Sequence, residues 1–403
     1  MIALVFNPAS NSLKFELIEL AEGQRVASQA TKLASAALDG IGEQTKLSVY
    51  KGREVISEQG ADARDMVAAV RAALGWLHGR KELNGKFGQL KLVGVRVVHG
   101  GSKCAGAVSV TAEVRKHIAD LEELAPLHNQ SSLDVLDVLG TELPRMPVFV
   151  TFDTAFHRTL PETAWRYPIE RATADRHNVR KFGFHGISHR YMLEHYAHRV
   201  GKHPEEVTVV TLHLESGSSA CAIARGQSVD TTMGLTPLEG LMMGSRSGSI
   251  DPAIVPYLMH KEGKSADEIV MLLNKRSGLL GIAGGTLDTR ELVKREDDAA
   301  KLALAMFSYR VRLAVGAYLA ALGNAEAVLF GGGIGEDSPW LREAVCEGLR
   351  GWGLEFDRTA NESMTGMVRI STDNSRLHAW AVPVEESLQI AHECALAFSG
   401  PQP

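Results

Sequence analysis

The sequence has 403 residues, of which 45% are hydrophobic and 23% charged, and its formal net charge is -5. This composition is typical of a globular protein with two hydrophobic cores. The charge gives no basic surface for a nucleic-acid backbone, so we expect a small-molecule partner and no nucleic acid. The four cysteines (Cys104, Cys221, Cys346 and Cys394) lack metal-ligand spacing, and we interpret them as reduced core thiols.

The N-terminal segment and the longest apolar helix predict the cellular compartment. An apolar strand opens the chain at residues 2–6, with no basic segment or cleavage site that would indicate a signal peptide. The longest apolar helix, at residues 302–322, is interrupted by Arg310 and Arg312, which argues against a membrane span. The sequence therefore predicts a cytoplasmic protein that does not contact a membrane.

The first half of the chain begins with a predicted β-hairpin. Residues 2–6 and 13–18 are apolar or alternating, and residues 7–11 between them favour a turn. Beyond the hairpin, apolar periodicity predicts helices over 61–77, 111–124, 132–139 and 188–200, and buried strands over 92–98 and 148–152.

The second half opens with the same strand, turn and strand pattern. Strands are predicted over 207–212 and 220–224, with a polar turn over 215–218. Helices are then predicted over 251–259, 265–274 and 297–322, and a strand over 327–330 runs into three glycines before a helix near Ser338. Two such openings, each followed by strands and helices, predict a duplicated α/β domain with the ligand site between the copies.

Two turns have the composition of anion sites. In the first, from Asn7 to Lys14, backbone amides and one cation would hold a phosphate, although an ordinary hairpin has the same composition. In the second, from Phe330 to Asp337, glycines after a strand would let a nucleotide approach the backbone, although they would also suit a plain connection. The Walker ending and the dinucleotide spacing are both missing.

Charged or polar residues stand at the ends of several apolar segments. They are Arg96, His128, Asp153, His185 and Arg246. Each would serve either a binding site or a structural ion pair. As a set, two arginines, two histidines and a carboxylate beside glycine-rich turns favour phosphoryl transfer, where positioning and charge neutralisation supply most of the catalysis.

At these positions the chain closely resembles the acetate kinase family of the sugar kinase, Hsp70 and actin superfamily. The matching segments follow one another along essentially the whole chain: residues 7–15, 96–101, 124–129, 152–157, 182–189, 233–240 and 333–336. The resemblance implies an α/β fold of two duplicated ribonuclease H-like (actin-like ATPase) domains with an interdomain active-site cleft. It places the first domain at 1–154, completed by a C-terminal helix at 385–403, and a nucleotide-binding and dimerisation domain at 155–384.

The resemblance implies reversible, direct transfer of a phosphoryl group between ATP and acetate by a homodimer. Arg96 would hold the substrate carboxylate in a bidentate clamp, Asp153 would be the carboxylate at the reacting centre, and His185 with Arg246 would stabilise the transferring group. The remaining substrate-binding residues would be Val98, Leu127, His128, Phe184 and Pro237. Val98 favours acetate over propionate, because family members preferring propionate tend to have a smaller residue there.

Nucleotide and metal ligands are likewise implied by resemblance. Asn7 and Glu386 would position magnesium, or manganese in its place. The ATP-binding residues would be Lys14, His213, Leu214, Glu215, Ser216, Gly217, Asp288, Thr289, Arg290, Gly333, Ile334, Gly335, Glu336 and Asp337.

Two phosphate-binding turns depart from the family pattern. The first has Pro8, Ala9 and Asn11 in place of Ala, Gly and Ser, and the second has Glu215 and Ser216 in place of Gly and Asn. These changes leave open a low-activity or non-catalytic paralogue that binds acetyl phosphate or nucleotide. A kinase with another phosphoryl donor, or with a longer acyl substrate such as propionate, also stays open.

Overall fold

The computed structural model describes residues 1–122, 126–363 and 365–400, apart from the side chains of residues 84 and 126–128. Within it the chain divides into two compact units. Unit 1 contains Met1–Arg158, Gly186–His195 and the chain from Glu385 onward, and unit 2 contains Thr159–His185 and Tyr196–Val384. The return of residues 186–195 to unit 1 has no counterpart in the domains that the sequence predicts.

The elements are numbered in chain order. The strands are β1 (Ile2–Pro8), β2 (Ser12–Glu19), β3 (Thr31–Asp39), β4 (Lys46–Lys51), β5 (Glu54–Gly60), β6 (Leu90–Val97), β7 (Val108–Ser109), β8 (Val148–Phe152), β9 (Val209–Leu214), β10 (Ser218–Ala224), β11 (Gln227–Thr231), β12 (Ala327–Gly331), β13 (Val368–Arg369) and β14 (His378–Ala381). The helices are α1 (Met66–Gly79), α2 (Asn84–Phe87), α3 (Ala112–Asp120), α4 (Pro126–Glu142), α5 (Glu162–Trp165), α6 (Arg171–Arg176), α7 (Gly186–Val200), α8 (Ile254–Glu262), α9 (Ala266–Lys275), α10 (Gly278–Ala283), α11 (Thr289–Leu292), α12 (Asp298–Leu322), α13 (Gly332–Asp337), α14 (Pro339–Glu347), α15 (Arg358–Glu362) and α16 (Glu386–Ser399). Short 3-10 turns occur at Ala27–Gln29, Ala155–Thr159, Pro204–Glu206 and Arg350–Trp352.

Each unit is built around one sheet, and the two sheets share the same five-strand centre. The strand order is β5-β4-β3-β2-β1-β6-β8-β7 in unit 1 and β11-β10-β9-β12-β14-β13 in unit 2. In both sheets three antiparallel strands lead to two parallel ones: β3-β2-β1-β6-β8 corresponds to β11-β10-β9-β12-β14. This shared order confirms the predicted duplicated α/β fold, and both predicted hairpins are present.

Several predicted helix boundaries move because of local capping. The helix predicted to start at residue 61 begins at Met66, where the Asp65 carboxylate accepts a hydrogen bond from the Ala68 amide at 2.7 Å. Helix α3 ends at Asp120, and residues 123 and 124 of that prediction lie outside the described part of the chain. Helix α4 is longer than predicted because its polar residues near the start, such as Asn129 and Ser132, are buried.

The glycine run after β12 is itself helical. Gly332 to Asp337 form α13, and the predicted helix near Ser338 follows as α14, with Pro339 in its first turn, where the missing amide costs no hydrogen bond. Gly332 has φ +75°, and a Cβ there would lie 2.7 Å from the Leu214 carbonyl oxygen. Glycine is therefore required where this turn meets the end of β9.

Helix α12 forms the centre of the unit 2 core. Phe307, Val311 and Val315 are fully buried among strand residues of the sheet. By length and composition alone this helix would also be able to cross a membrane, but 33% of its most apolar window is buried within the protein. Its other face carries Leu302 and Tyr309, which are 54% and 49% exposed.

Candidate active site

A chain of hydrogen bonds in unit 1 joins four of the residues singled out by the sequence. The Arg96 guanidinium donates to both carboxylate oxygens of Asp153, at 2.8 and 2.5 Å. Its third nitrogen donates to the amide oxygen of Asn7 at 3.0 Å, and the Asn7 amide group donates to Glu386 at 2.9 Å. Ser188 donates to the other oxygen of Glu386 at 2.5 Å. Ser188 lies within a segment matching the family, but no role had been predicted for it.

The sheet of unit 1 explains why these residues meet. Arg96 lies in β6 and Asp153 directly follows β8, and these strands are parallel neighbours whose carboxyl ends share one edge of the sheet. The Asp153 carbonyl oxygen accepts a hydrogen bond from the Gly186 amide at 2.8 Å. A Cβ on Gly186 would lie 2.2 Å from that oxygen, so the start of α7 can lie here only with glycine at this position.

The fork of Arg96 faces Asp153. Asp153 is 1% exposed, and the pair has the parallel, two-bond geometry that is favoured between a guanidinium and a carboxylate. A substrate carboxylate would therefore have to share Arg96 with Asp153 or exchange with it. The predicted clamp on the substrate stays a prediction.

The segment after Arg96 has a structural role that the sequence did not reveal. Asn129 accepts a hydrogen bond from the His99 amide and donates one to its carbonyl oxygen, each at 3.1 Å. Burial, with a smaller effect of His117, lowers the pKa of His99 to about 4, so this imidazole is neutral at pH 7. A Cβ on Gly100 would lie 2.6 Å from the Phe152 ring. These contacts fix the position of the chain directly after Val98.

Lys14 is the cation of the first turn and lies among carboxylates. It is 3.5 Å from Glu16, which also pairs with Lys32 at 3.1 Å. Burial disfavours the charge on Lys14, but the carboxylates of Glu16, Glu385 and Glu386 outweigh burial and raise its pKa. Lys14 therefore stays charged at neutral pH.

In unit 2, two histidines and an arginine converge on Gly217. The rings of His185 and His213 are 4.6 Å apart, and the Nδ1 atom of His185 is 2.9 Å from the Ser219 hydroxyl. A Cβ on Gly217 would lie 3.5 Å from the Arg246 guanidinium and 3.6 Å from the His185 ring. His185 has φ +58°, an uncommon left-handed conformation that directs the chain into α7.

Arg246 is a partly buried cation without an acidic partner in the part of the chain that the structure describes. Its guanidinium donates to the Pro237 carbonyl oxygen at 3.2 Å and contacts the Met243 sulfur at 3.8 Å. Burial lowers its pKa, and no carboxylate offsets that effect. A cation held in this way favours an anionic ligand.

A loop braced by two unpredicted residues carries the Pro237 carbonyl group. Tyr167 donates a short hydrogen bond to Glu239 and accepts one from the Leu235 amide at 2.9 Å. Because a Cβ on Gly234 would overlap both side chains, glycine is required there. Glu239 lies inside the segment of family resemblance around Pro237, whereas Tyr167 had no signal in the sequence.

A separate cavity of about 300 Å³ in unit 2 gathers most of the predicted adenosine and phosphate residues. It is lined by Glu215, Ser216, Leu287, Asp288, Thr289, Arg290, Gly333, Ile334, Asp337 and Ser338. Arg290 pairs with Asp288 at 2.7 Å. Asp288 also caps α11 by accepting from the Arg290 amide, so the Asp-Thr-Arg segment forms one wall of the cavity.

The other predicted residues are distributed as follows. Val98 and Phe184 are buried, at 5% and 1% exposure, and Leu214 is buried at the end of β9. Gly335 and Glu336 are buried in α13, where Glu336 accepts from the Val384 amide at 2.9 Å. The predicted roles of Leu127 and His128 fall on side chains outside the described part of the structure.

The described residues contain no group of three or more His, Cys, Asp and Glu side chains arranged for a metal ion. Asn7 and Glu386 supply two neighbouring oxygen-bearing groups, which suits a hard cation that keeps several of its own waters. The four cysteines are buried and free, in agreement with their interpretation as core thiols.

Comparison with known proteins places this geometry in a family. The family model of the Acetokinase family matches residues 2–392. The chain is 41% identical to the acetate kinase of Chloroherpeton thalassium over 98% of both chains. It superimposes on the crystal structure of Porphyromonas gingivalis acetate kinase with a TM-score of 0.90, at 34% identity over 99% of this chain and 100% of that one. It also superimposes on the crystal structure of a propionate kinase from Francisella tularensis with a TM-score of 0.88, at 33% identity over 97% of this chain and 98% of that one. The chain belongs to the acetokinase family.

Proposed function

We propose that this protein catalyses reversible phosphoryl transfer between ATP and acetate, giving acetyl phosphate and ADP. An oxygen of the acetate carboxylate attacks the γ-phosphorus, the bond to the β-phosphate oxygen breaks, and ADP leaves. Relatives named acetate kinase cover the chain at about 40% identity, which supports this reaction. Phosphoryl transfer depends mainly on positioning and charge stabilisation, and both units present groups for these tasks.

The residues of unit 1 serve the acceptor. Acetate is already ionised at neutral pH, so no side chain has to remove a proton from it before it attacks. Asp153 is therefore assigned to orienting the guanidinium of Arg96 through their two hydrogen bonds. Arg96 in turn binds the acetate carboxylate, sharing or exchanging its Asp153 contact as acetate enters.

The observation that carries the proposal is the partly buried environment of Arg246, which has no acidic partner among the described residues. Its charge is partly desolvated and is held by the Pro237 carbonyl group, so little reorganisation is needed when charge develops on the transferring phosphoryl group. His185 lies on the same side of Gly217 and is oriented by Ser219. We assign both side chains to stabilising the transition state.

Magnesium would be held beside Asn7 and Glu386, directly or through water, with the Glu386 carboxylate as the ligand of the kind it prefers and the Asn7 oxygen shared with Arg96. When bound, the ion would neutralise phosphate charge. Manganese would be held in the same way. The role of the two residues is to keep their oxygens in place, which Ser188 supports through its hydrogen bond to Glu386.

The acyl preference, the assembly and the compartment are parts of the same proposal. Val98 is buried directly after β6, and if it lines the acyl pocket, its branched side chain would leave less room for an ethyl group than a smaller residue would. We therefore assign acetate rather than propionate. The exposed apolar face of α12 supports a homodimer. We place the reaction in the cytoplasm, where ATP is available.

The test is formation of acetyl phosphate, trapped as its hydroxamate, from ATP, magnesium and acetate. The protein should form it, and Arg246→Met should reduce kcat by about 100-fold or more while changing KM less, since its partner gains charge in the transition state. Arg276→Met removes an exposed arginine of the same unit and serves as the matched control. If the unmodified protein forms no acetyl phosphate, or if Arg246→Met keeps full turnover, the proposal is wrong.

A further inference from the structure

The carboxylate of Glu215 lies inside the cavity that we assign to the nucleotide. Glu215 follows β9, and its side chain is 52% exposed. Its Oε1 atom accepts a hydrogen bond from the Gly333 amide at 3.1 Å. A Cβ on Gly332 would lie 2.9 Å from the Glu215 Cγ atom, so the two turns approach closely only because Gly332 is glycine.

The Gly333 amide is a donor that a ligand anion would otherwise use. It follows the turn at the end of β12, and Gly333 is part of the cavity lining. A carboxylate oxygen on this amide has the charge and hydrogen-bonding character of a phosphate oxygen. Glu215 therefore occupies a place that an anionic ligand of this cavity would need.

The charge of the cavity adds to this competition. Its lining carries the carboxylates of Glu215, Asp288 and Asp337 against the single guanidinium of Arg290. Because Arg290 is paired with Asp288, its guanidinium does little to offset the charge of Glu215 towards a ligand. The imidazole of His213 is 3.9 Å from the Glu215 carboxylate and would offset its charge only when protonated.

We propose that Glu215 is a selectivity residue that competes with the nucleotide phosphates for the Gly333 amide and repels them by charge. This inference rests on the proposed function. The penalty grows with ligand charge, so Glu215 weakens binding of ATP more than binding of ADP. The protein is thereby biased towards using ADP with acetyl phosphate.

The experiment measures binding of magnesium-ATP and magnesium-ADP by calorimetry, without acetate, for the unmodified protein, Glu215→Gln and Glu215→Gly. Glu215→Gln removes the charge at nearly constant shape, and Glu215→Gly also frees the amide. We expect Glu215→Gln to bind ATP about tenfold more tightly than the unmodified protein does, which is equivalent to ~1.4 kcal/mol. Its affinity for ADP should increase by a smaller factor. Glu215→Gly should bind at least as tightly as Glu215→Gln.

Two further readouts identify the cause. The half-exposed charge is screened by salt, so the difference in ATP affinity between Glu215→Gln and the unmodified protein should shrink as potassium chloride rises. The KM for acetate should not change. Glu362→Gln makes the same charge change at an exposed site of unit 2 outside the cavity lining, and it should leave nucleotide affinity unaltered.

If neither Glu215 variant binds nucleotide more tightly, or if Glu362→Gln has an equal effect, the inference is overturned and the proposed function stands. If no nucleotide binds to any of these proteins and no acetyl phosphate forms in the hydroxamate assay, both fail. If Glu215→Gln and the unmodified protein have the same ratio of ATP affinity to ADP affinity, the predicted bias towards ADP is wrong.

Discussion

Arg96 illustrates how one side chain can serve two partners. Its hydrogen bonds to Asp153 and Asn7 use three nitrogens of the guanidinium, so substrate binding at this residue is coupled to the order of its neighbours. Asp153 is almost fully buried and would lose its charge-assisted bonds without Arg96. The residue therefore affects both acetate binding and the organisation of the site.

We expect Arg96→Ala to raise the KM for acetate by roughly ten- to a hundredfold, because a charge-assisted hydrogen bond contributes about 1.5–3 kcal/mol. It should also lower kcat, because Asp153 and Asn7 lose a partner. Steady-state kinetics with each substrate varied in turn measure both effects. The KM for ATP should stay nearly constant, and an equal rise in that value would contradict the assignment. Arg96→Lys keeps the positive charge but lacks the forked guanidinium, so its KM for acetate should lie between those of the unmodified protein and Arg96→Ala.

At the level of elements, a buried arginine ties α13 to the two helices that follow it. Arg342 in α14 is fully buried, and it donates to the carbonyl oxygens of Gly335 and Glu336 at 2.9 and 2.5 Å. It also donates to the side chain and the carbonyl oxygen of Asn361 in α15. Burial lowers the pKa of Arg342 to about 10, which still leaves it charged at pH 7. This guanidinium therefore contributes to the position of the helix that lines the nucleotide cavity.

Arg342→Met should reduce the free energy of unfolding by about 2–4 kcal/mol, since it leaves several buried carbonyl groups without donors. It should also raise the KM for nucleotide more than the KM for acetate, because α13 contributes to the cavity. Thermal denaturation and steady-state kinetics measure these two effects. Arg350→Met, at an exposed arginine that makes only a surface ion pair, is the control. A purely structural role would lower stability and leave the ratio of the two KM values unchanged.

At the scale of the whole molecule, the apolar face of α12 should lie in a dimer interface. In a symmetric dimer, Leu302→Glu would place one charge from each subunit in that interface. Each subunit would also lose about 1.5–3 kcal/mol of stabilisation from burial of the leucine side chain. We expect the unmodified protein to sediment at twice its chain mass of 43.6 kDa and the variant to sediment mainly as a monomer. Leu396 in α16 has the same 54% exposure. Leu396→Glu should leave the dimer intact, and an equal response of the two variants would refute this face as the interface.

The fold was predictable from periodicity, while the side-chain network was only partly so. The central strands β1 and β9 are predominantly apolar, and each returns through a polar turn, so both hairpins and the duplication were visible in the sequence. The helical form of the glycine run was not, because glycine disfavours helices and its position here is set by the close contact with β9.

The candidate site shows the same division. Arg96, Asp153, Asn7 and Glu386 were each singled out, and the structure joins them through hydrogen bonds. The supporting contact of Ser188 was not predicted, because Ser188 and Glu386 are 198 positions apart and meet only in the folded chain. Local patterns do not encode such partners. The Glu215 contact with Gly333 likewise joins residues more than a hundred positions apart.

The return of the last helix to unit 1 has a consequence for synthesis of the chain. Helix α16 packs against β1, β6 and β8, and the space beside Gly94 in β6 is filled by Ile390 and Cys394 of this helix. A ribosome that has finished β6 must still add almost three hundred residues before α16 exists, which takes ~15–60 s at bacterial rates of about 5–20 residues per second. During that interval the strands of unit 1 have an uncovered apolar face, whereas the two segments of unit 2, Thr159–His185 and Tyr196–Val384, can already be folding. The nascent N-terminal half is therefore the part of this chain that most needs chaperones to protect it from aggregation.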